Sequence, residues 1–320
     1  MTLGLGKQLR AAGVLGLNRR NNRYTLVYNR RELYPLVDDK LRTKQLALAA
    51  GLAVPDLYGV VEIEHQVLEL DAWLSRYPDF VIKPAQGSGG DGVLVVIGRA
   101  KNAYRLATGL LMDSAELGHY VSNILNGLFS LGGHPDKALI EYCVQFDPMF
   151  AAISYQGVPD IRIITFLGFP VMAMVRLPTR QSNGKANLHQ GAIGVGIDLA
   201  SGRTLTAVWG NDVVHEHPDT GHPVTGITVP HWERLLEIAA RSYELTGLGY
   251  VGVDIVLDHH KGPLLLEANA RPGLNIQIAN GTGLLPRLKQ VEQVASRPFS
   301  VAERIAFARE RFAVPEPPAQ

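Results

Sequence analysis

A lysine and a glycine-rich loop are joined in the stretch Lys83-Pro84-Ala85-Gln86-Gly87-Ser88-Gly89-Gly90-Asp91-Gly92. Apolar runs at 80–82 and 93–97 flank it and predict two strands, so the loop is the tip of a hairpin. A P-loop and a dinucleotide-binding fingerprint both open a helix, and neither fits this setting. The stretch therefore indicates a flap whose backbone N–H groups cover phosphates while Lys83 adds a charge; the alternative is a flexible hairpin loop with a surface lysine.

Composition narrows the class of protein. The chain has 320 residues and is 46% hydrophobic, which suits two domains or one domain with subdomains. Its 31 Lys and Arg nearly balance 30 Asp and Glu, so binding to nucleic acid through net charge is not expected. The single cysteine, Cys143, excludes an internal disulfide and fits a reducing compartment. The apolar run after Lys7 and Arg10 is short for a signal peptide, and we expect a cytoplasmic protein with no membrane span.

Periodicity predicts the elements around the loop. Residues 1–37 are basic, with Arg19–Arg23 as the densest run, and indicate a solvated arm more than a nucleic-acid contact. A helix capped by Asp38 or Asp39 runs to about residue 50, and a helical pattern covers 102–131. Further expected elements are strands at 138–142, 161–167, 171–177, 251–257 and 263–268, a helix at 229–245, and a charged helical tail from about 298.

Two carboxylates are expected to face each other in the hairpin of residues 251–268. Folding about His259-His260 sets Asp254 opposite Glu267, and Asn269 points to the same face as Glu267. Opposed carboxylates need a cation, and three oxygen donors without sulfur or imidazole indicate Mg²⁺ or Mn²⁺. Neutralisation of the pair by an arginine is the alternative.

In the hairpin of residues 161–177, two positive side chains are expected to face each other instead of two carboxylates. Folding about Gly168-Phe169-Pro170 places Arg162 across from Arg176, which calls for an anion between them. Asp160 shares the face of Arg162, so an ion pair competes for one arginine but does not easily explain both. An anion site, a hard-cation site and a phosphate flap together indicate a magnesium-bound nucleoside triphosphate.

The order of these motifs resembles the ATP-grasp superfamily of carboxylate-amine ligases, most closely its ribosomal-protein glutamate ligase branch, over roughly residues 38–296. A less characterised glutamate-ligase-like group and ATP-grasp proteins linked to sugar transfer are similar too. The resemblance implies three groups of site residues. They are the nucleotide-binding residues Lys40, Lys83, Gly87, Ser88, Gly89, Gly90, Glu141, Tyr142, Asp160, Lys185 and Asn187, the metal ligands Asp254, Glu267 and Asn269, and the catalytic Arg162, Arg176 and Arg271.

The same resemblance implies an α+β fold in which two α+β subdomains clasp ATP between antiparallel sheets. Fewer than 40 residues precede the first lysine helix, so the N-terminal region is truncated relative to the family. We expect a basic arm at 1–37, a small subdomain with the glycine-rich lid and a helical insertion at 38–137, a large subdomain with the metal site at 138–296, and a tail at 297–320. Part of the family's acceptor-binding surface is then missing.

The expected activity is an ATP- and Mg²⁺-dependent ligation of a carboxylate to an amine through an acyl phosphate, with glutamate or another amino acid added to a peptide or small molecule. Arg271 replaces the branch's serine, and this departure puts glutamate as the donor in question. The alternatives are a nucleotide-binding module that has lost turnover, a protein associated with sugar transfer, and an RNA-associated enzyme using its basic arm. A homo-oligomer remains open.

Overall fold

The computed structural model describes residues 4–87, 89–130 and 132–314, and the chain divides into two compact units. The small unit comprises residues 39–45 and 54–145, and the large unit comprises residues 1–38, 46–53 and 146–320. The segment expected to form a separate basic arm is thus counted with the large unit. Residues 138–145, expected to open the large subdomain, are counted with the small unit.

An antiparallel sheet forms the centre of the small unit. Its strands, within the described residues, are β1 (Leu57–Val61), β2 (Phe80–Pro84), β3 (Leu94–Ala100), β4 (Ala103–Leu106), β5 (Leu111–Asp113) and β6 (Ala138–Glu141). Their order in the sheet is β1-β6-β2-β3-β4-β5. The pairing of Phe80 with Val96 confirms the hairpin that carries the glycine-rich loop.

A second antiparallel sheet forms the centre of the large unit. Its strands in the described part of the chain are β7 (Asp160–Phe166), β8 (Phe169–Leu177), β9 (Ile193–Ile197), β10 (Thr204–Trp209), β11 (Asp212–Val214), β12 (Tyr250–Asp258) and β13 (Gly262–Asn269). Their order is β11-β10-β9-β8-β7-β12-β13. Every residue of β7, β8 and β12 is buried, so these three strands are covered on both faces.

The helices lie around the two sheets. In chain order the described α-helices are α1 (Leu5–Ala11), α2 (Leu17–Arg19), α3 (Leu26–Tyr28), α4 (Pro35–Asp38), α5 (Lys40–Ala49), α6 (Leu70–Leu74), α7 (Ser114–Leu125), α8 (Trp232–Ala240), α9 (Ser242–Thr246), α10 (Ile276–Ala279), α11 (Leu285–Val294) and α12 (Val301–Arg311). A π-helix, Arg20–Thr25, joins α2 to α3. Short 3₁₀ helices occupy Arg31–Leu33, Glu64–Glu69, Pro148–Ile153 and Leu188–Gln190. None of these described helices combines the length and the apolar character that crossing a bilayer requires.

Side-chain alternation orients the small sheet. Phe80 and Ile82 of β2 are fully buried against a core that includes Leu117, Val121 and Ile124 of α7. Because neighbouring residues of a strand point to opposite faces, Lys83 lies on the face away from this core. In the large unit, α8 and α12 pack against β8, and α10 packs against β8 and β9.

The helical pattern predicted for residues 102–131 is wrong over its first part. Tyr104 and Leu106 are buried in alternation as strand residues, and Gly109, with φ +87°, forms the turn into β5. The helix begins only after Asp113, whose side chain accepts a hydrogen bond from the N–H of Glu116. The spacing of the leucines imitated a helix because β4 and β5 are too short to display a long alternation.

The helix predicted at 229–245 is shorter and divided. It begins at Trp232 because His231 adopts a left-handed conformation (φ +57°), and it is interrupted at Arg241 between α8 and α9. Gly247 ends α9 with φ +69°, as predicted. The other helices and strands expected from the sequence are confirmed to within a few residues.

The N-terminal segment is not a solvated arm. Arg20, Tyr24 and Asn29 are buried, with 7%, 3% and 2% of their surface exposed. The rings of Tyr24 and Phe166 pack edge to face, with their centroids 5.4 Å apart. Buried residues recur at helical spacing among the arginines, and this pattern is what anchors the segment to the large unit.

Candidate active site

Four charged side chains meet on the sheet of the large unit. Arg162 donates from Nε and Nη2 to the two carboxylate oxygens of Asp254, at 2.7 and 2.5 Å. Arg176 binds Asp160 in the same two-pronged way, with both distances 2.5 Å, and its Nη2 lies 2.6 Å from Asp254 Oδ2. All four are buried, so strands β7, β8 and β12 hold a closed ion network.

The predicted register of the two arginines is wrong by two residues. Arg176 pairs with Asp160, and Arg162 pairs with Met174. The turn is Leu167-Gly168, both with positive φ (50° and 77°), and not the three-residue loop ending at Pro170. A register shift of two residues leaves each side chain on the same face of the sheet, so Arg162 and Arg176 still share one face. The carboxylates of Asp160 and Asp254 now neutralise both arginines, and an anion is not required to do so.

Charge and burial together set the protonation of this network. Burial opposes ionisation of Asp254, but the guanidinium groups of Arg162 and Arg176 outweigh it and hold the pKa of that carboxyl well below its usual range. Burial lowers the pKa of Arg176, whereas Asp160 and Asp254 raise it, and the net shift is upward. Asp254 therefore stays ionised and Arg176 stays charged.

The predicted metal ligands lie side by side on β12 and β13. Asp254 pairs with Glu267 in the sheet, as predicted. A hard divalent cation would stabilise two carboxylates placed side by side in this way. Asn269 Oδ1 accepts from the N–H of Arg271 at 2.8 Å and has a second lone pair. No cluster of three His, Cys, Asp or Glu suited to a metal occurs among the described residues, and this set fits Mg²⁺ only through the Asn269 amide.

Arg271 follows β13 in an exposed position. Its guanidinium lies over the Tyr34 ring, 5.0 Å from the centroid. The backbone around it is fixed from the N-terminal segment, because Arg20 Nη1 donates to the carbonyls of Pro272 (2.8 Å) and Arg271 (3.3 Å). Asn29 donates to the Ala270 carbonyl at 3.1 Å. The sequence analysis did not identify Arg20 and Asn29 as site residues. The spacing of residues 20, 24 and 29, all of which are buried, is the pattern that could have identified them.

A cleft opens beside the arginine pair in the large unit. It is lined by Arg162, Met174, Arg176, Asn187, Leu188, His189, Gly273 and Asn275. Asn187 caps the 3₁₀ helix by accepting from the N–H of His189 at 3.0 Å, and the backbone N–H of Lys185 donates to the Ser182 carbonyl. The structure thus brings Asn187 to the arginines, and His189 and Asn275 join them without having been predicted.

The lysines of the small unit converge on one carboxylate. Glu141 at the end of β6 binds Lys83 (2.7 Å) through one oxygen and Lys44 (3.1 Å) through the other. Lys44 also donates to the Pro55 carbonyl. Burial lowers the pKa of Lys44 to about 8, with Glu141 opposing the shift and Lys83 adding to it. Lys40 and Lys44 lie four residues apart on α5 and so share a face, but this spacing does not reveal Glu141 as the partner of Lys44.

Lys40 reaches the glycine-rich loop. Its Nζ donates to the Gly87 carbonyl, and the Asp39 side chain caps its helix by accepting from the N–H of Leu41 at 2.9 Å. Tyr142, after β6, donates its backbone N–H to the Asp56 carbonyl. Lys40 therefore contacts the loop backbone, while Lys83 and Glu141 form a buried ion pair in the same unit.

The glycine-rich loop needs glycine where φ is positive and where the backbone packs closely against a neighbouring side chain. Gly89, Gly90 and Gly92 have φ of +66°, +80° and +72°. A Cβ on Gly87 would lie 2.4 Å from Pro84 Cγ, and one on Gly92 would lie 2.6 Å from Phe129 Cγ. Ser88, expected to bind phosphate, lies outside the described residues. Because glycine has no side chain, the backbone of this loop can approach a ligand more closely than it could with larger residues.

Comparisons with known proteins agree with the motif order. The family described as sugar-transfer associated ATP-grasp matches residues 19–293. A probable alpha-L-glutamate ligase of Enterobacter sp. (strain 638) is 24% identical over 236 residues, which are 74% of this chain and 56% of that protein. Its counterpart in Pseudomonas putida (strain GB-1) is 23% identical over 76% of this chain and 59% of its own length. The chain thus spans little more than half the length of these curated relatives.

Solved structures with a similar fold are distant in sequence. The ATP-grasp ligase PsnB complexed with a minimal precursor is 13% identical, with a TM-score of 0.48, over 84% of this chain and 63% of that chain. The D-alanine-D-alanine ligase from Coxiella burnetii is 13% identical, with a TM-score of 0.44, over 87% and 60%. The family match confirms the predicted α+β ATP-grasp fold and the predicted resemblance, and it falls in the branch linked to sugar transfer.

Proposed function

The chain belongs to the sugar-transfer associated ATP-grasp family, and we propose that it is an ATP- and Mg²⁺-dependent ligase that joins a carboxylate to an amine. The carboxylate attacks the γ-phosphorus of ATP to give an acyl phosphate and ADP. The amine then attacks the acyl carbon, and the amide forms as phosphate leaves and the amine loses a proton. No protein nucleophile is needed, so positioning and charge supply the catalysis.

One observation carries the proposal. Two buried arginines and the oxygen donors of Glu267 and Asn269 occupy neighbouring strands of one sheet. A sheet that only needed stability would gain little from the four buried charges of Arg162, Arg176, Asp160 and Asp254, because desolvation offsets much of their attraction. The arrangement makes sense where an anion and a hard cation bind together.

In the large unit the arginines are the proposed phosphoryl contacts. Arg162 and Arg176 use Nε and Nη2 on carboxylates, so Nη1 is the donor that these ion pairs leave for the cleft. Asp254 fixes the guanidinium plane of Arg162 and Asp160 fixes that of Arg176, while Glu267 and Asn269 would hold Mg²⁺. The bound ion would neutralise charge on the transferred phosphoryl group. Arg271 is the proposed contact for a substrate carboxylate.

In the small unit the lysines are the proposed triphosphate contacts. Lys83 presents an ammonium held by Glu141, and Lys40 stands at the glycine-rich loop. The N–H groups of Gly87, Gly89 and Gly90 would cover phosphate oxygens. Tyr142, Asp160, Lys185 and Asn187 remain proposed nucleotide contacts on the family resemblance.

The test is release of ADP that depends on an acid. Purified protein with ATP, Mg²⁺ and hydroxylamine is supplied with a broad panel of amino acids and peptides, and hydroxamates are read by mass spectrometry. Glu267→Gln should lower ADP release roughly 100-fold while ATP binding persists. Asp212→Asn, on the exposed edge strand β11, is the matched control and should not change it. Equal rates for the wild type and Glu267→Gln would contradict the proposal.

The second candidate is a nucleotide-binding module without turnover. The observation that favours it is the closed ion network, in which Asp254 already satisfies two arginines. This alternative predicts ATP binding but no acid-dependent ADP release with any acid of the panel.

For the ligase proposal, the curated relatives are named as probable alpha-L-glutamate ligases, so glutamate is the first donor to test.

A further inference from the structure

The N-terminal segment has a charge distribution unlike the rest of the chain. Residues 1–31 hold seven of the 31 Lys and Arg and none of the 30 Asp and Glu. The other 289 residues therefore carry 24 basic and 30 acidic side chains. A concentrated positive end on an otherwise acidic chain is typical of a surface that meets an anionic partner.

One side of this segment anchors it to the large unit. Arg20 and Asn29 bond to the backbone beyond β13, and Tyr24 packs on Phe166. The N–H of Leu15 donates to the Gln277 side chain at 2.8 Å. Since these contacts fix the helical run from α2 through the π-helix to α3, its other side is held outward as a folded surface.

We define the outward face as Arg19, Asn22, Arg23, Leu26 and Val27. These residues follow the i, i+3, i+4, i+7, i+8 spacing of one helix side, and all are exposed. Leu26 and Val27 are 57% and 61% exposed. The acidic groups near it are Glu292, which accepts from Tyr28 Oη at 3.2 Å, and Glu32, which pairs with Arg30.

We propose that the outward face docks the protein on an anionic phospholipid surface. Arginines beside exposed aliphatic side chains suit the boundary of such a bilayer, where the cations meet lipid phosphates and the aliphatic groups enter the acyl region. The acidic remainder of the chain is repelled by the same surface, so the contact has one orientation. This property is independent of the proposed ligase activity.

The chemistry of the face separates a bilayer from other occupants. Single-stranded nucleic acid is held by aromatic side chains on which bases stack, whereas Tyr24 is buried and Leu26 and Val27 offer no ring. A second copy of the chain would bring Arg19 and Arg23 against like charges if the contact were two-fold symmetric. An anionic lipid surface satisfies both the cations and the aliphatic pair.

Sedimentation with lipid vesicles tests the proposal on the full chain. We expect binding to vesicles of phosphatidylcholine with 30% phosphatidylglycerol and none to pure phosphatidylcholine. Arg19→Gln/Arg23→Gln should weaken binding at least roughly tenfold, and so should Leu26→Ser/Val27→Ser. Lys101→Gln/Arg311→Gln and Leu68→Ser are the matched controls at exposed positions elsewhere and should bind like the wild type.

Three results would overturn the proposal. They are wild-type protein that stays in the supernatant with the anionic vesicles, vesicle binding that the face variants leave unchanged, and binding to single-stranded RNA that replaces vesicle binding. A dimer that Leu26→Ser/Val27→Ser dissociates, without vesicle binding, would assign the face to a second copy instead. Circular dichroism of each variant confirms that its fold is intact.

Discussion

Glu141, which the family resemblance implies as a nucleotide-binding residue, holds two lysines of the small unit. Its Oε2 lies 2.7 Å from Lys83 Nζ and its Oε1 lies 3.1 Å from Lys44 Nζ, and only 2% of the residue is exposed. A carboxylate held in this way positions the Lys83 ammonium. Lys44 lies beside the same carboxylate, so the proposed contact of Lys83 with the nucleotide would depend on Lys44 as well.

Lys44→Met should weaken binding of ATP about tenfold and leave adenosine binding unchanged, because only phosphates meet Lys83. The measurement is titration calorimetry with both ligands. Lys137→Met removes an exposed lysine paired with Glu62 in the same unit and serves as control. An equal loss for ATP and adenosine would reduce Lys44 to a packing role.

The pH dependence follows from the lowered pKa of Lys44. With a folded-state pKa of about 8 against an ordinary value of 10.5, Lys44 loses its proton in the folded protein first. ATP affinity should therefore fall as pH rises through about 8, whereas the free energy of unfolding should gain a favourable contribution between about pH 8 and 10.5. Lys44→Met should lack both changes; a wild-type affinity that is flat from pH 7 to 9 would contradict this assignment.

Prediction at the residue scale succeeded for opposed charges within one hairpin. The pairing of Asp254 with Glu267 follows from alternation and turn position alone. Arg162 and Arg176 were misplaced because a turn with two positive φ values shifted the register. The partner of Lys44 lies on a strand about a hundred residues away, and local spacing carries no information about such contacts.

At the element scale, the β2–β3 loop needs glycine for two separate reasons. The added methyl group of Gly92→Ala would require a left-handed backbone at a residue with a Cβ and would also clash with the Phe129 ring. We expect the free energy of unfolding to fall by about 2–4 kcal/mol. Gly109→Ala meets a similar backbone (φ +87°) with open space around it, and should cost only about 1 kcal/mol. Urea denaturation of both variants measures the difference. Equal losses in the free energy of unfolding would show that the contact with Phe129 does not contribute.

The N-terminal segment is an element that stabilises the end of β13. Asn29 exchanges two hydrogen bonds with the Tyr250 backbone, at 2.7 and 2.8 Å, and donates a third to Ala270. Asn29→Ala would leave buried backbone groups unsatisfied, and we expect a loss of about 2–4 kcal/mol in urea denaturation. Asn22→Ala, on the outward face, should change stability by less than about 0.5 kcal/mol. A stable Asn29→Ala variant would make the segment dispensable.

Element prediction worked where alternation was long and failed where it was short. The hairpins of residues 80–97 and 251–268 present clear apolar runs that are separated by a turn. Strands β4 and β5 have four and three residues, and their leucines coincide with helical spacing. Packing against the neighbouring strands and the core decides the conformation of such short segments, and local sequence does not.

At the scale of the whole molecule, the order of motifs predicted the family although each motif is weak alone. The sequence indicated a glutamate ligase branch first, and the match over residues 19–293 lies in the sugar-transfer associated branch. His189 and Asn275 reach the cleft beside the arginines only through the fold of the large unit. Single-sequence patterns do not report those contacts.

Transfer of oxygen from the carboxylate to phosphate distinguishes ligation through an acyl phosphate from simple hydrolysis of ATP. Protein, ATP, Mg²⁺ and hydroxylamine are incubated with amino acids labelled with ¹⁸O in their carboxyl groups, and the released phosphate is analysed by mass spectrometry. An acyl-phosphate ligase moves one labelled oxygen into phosphate for each hydroxamate formed, and Glu267→Gln abolishes the transfer. ADP release that leaves phosphate unlabelled, or no ADP release with any acid, would contradict the account.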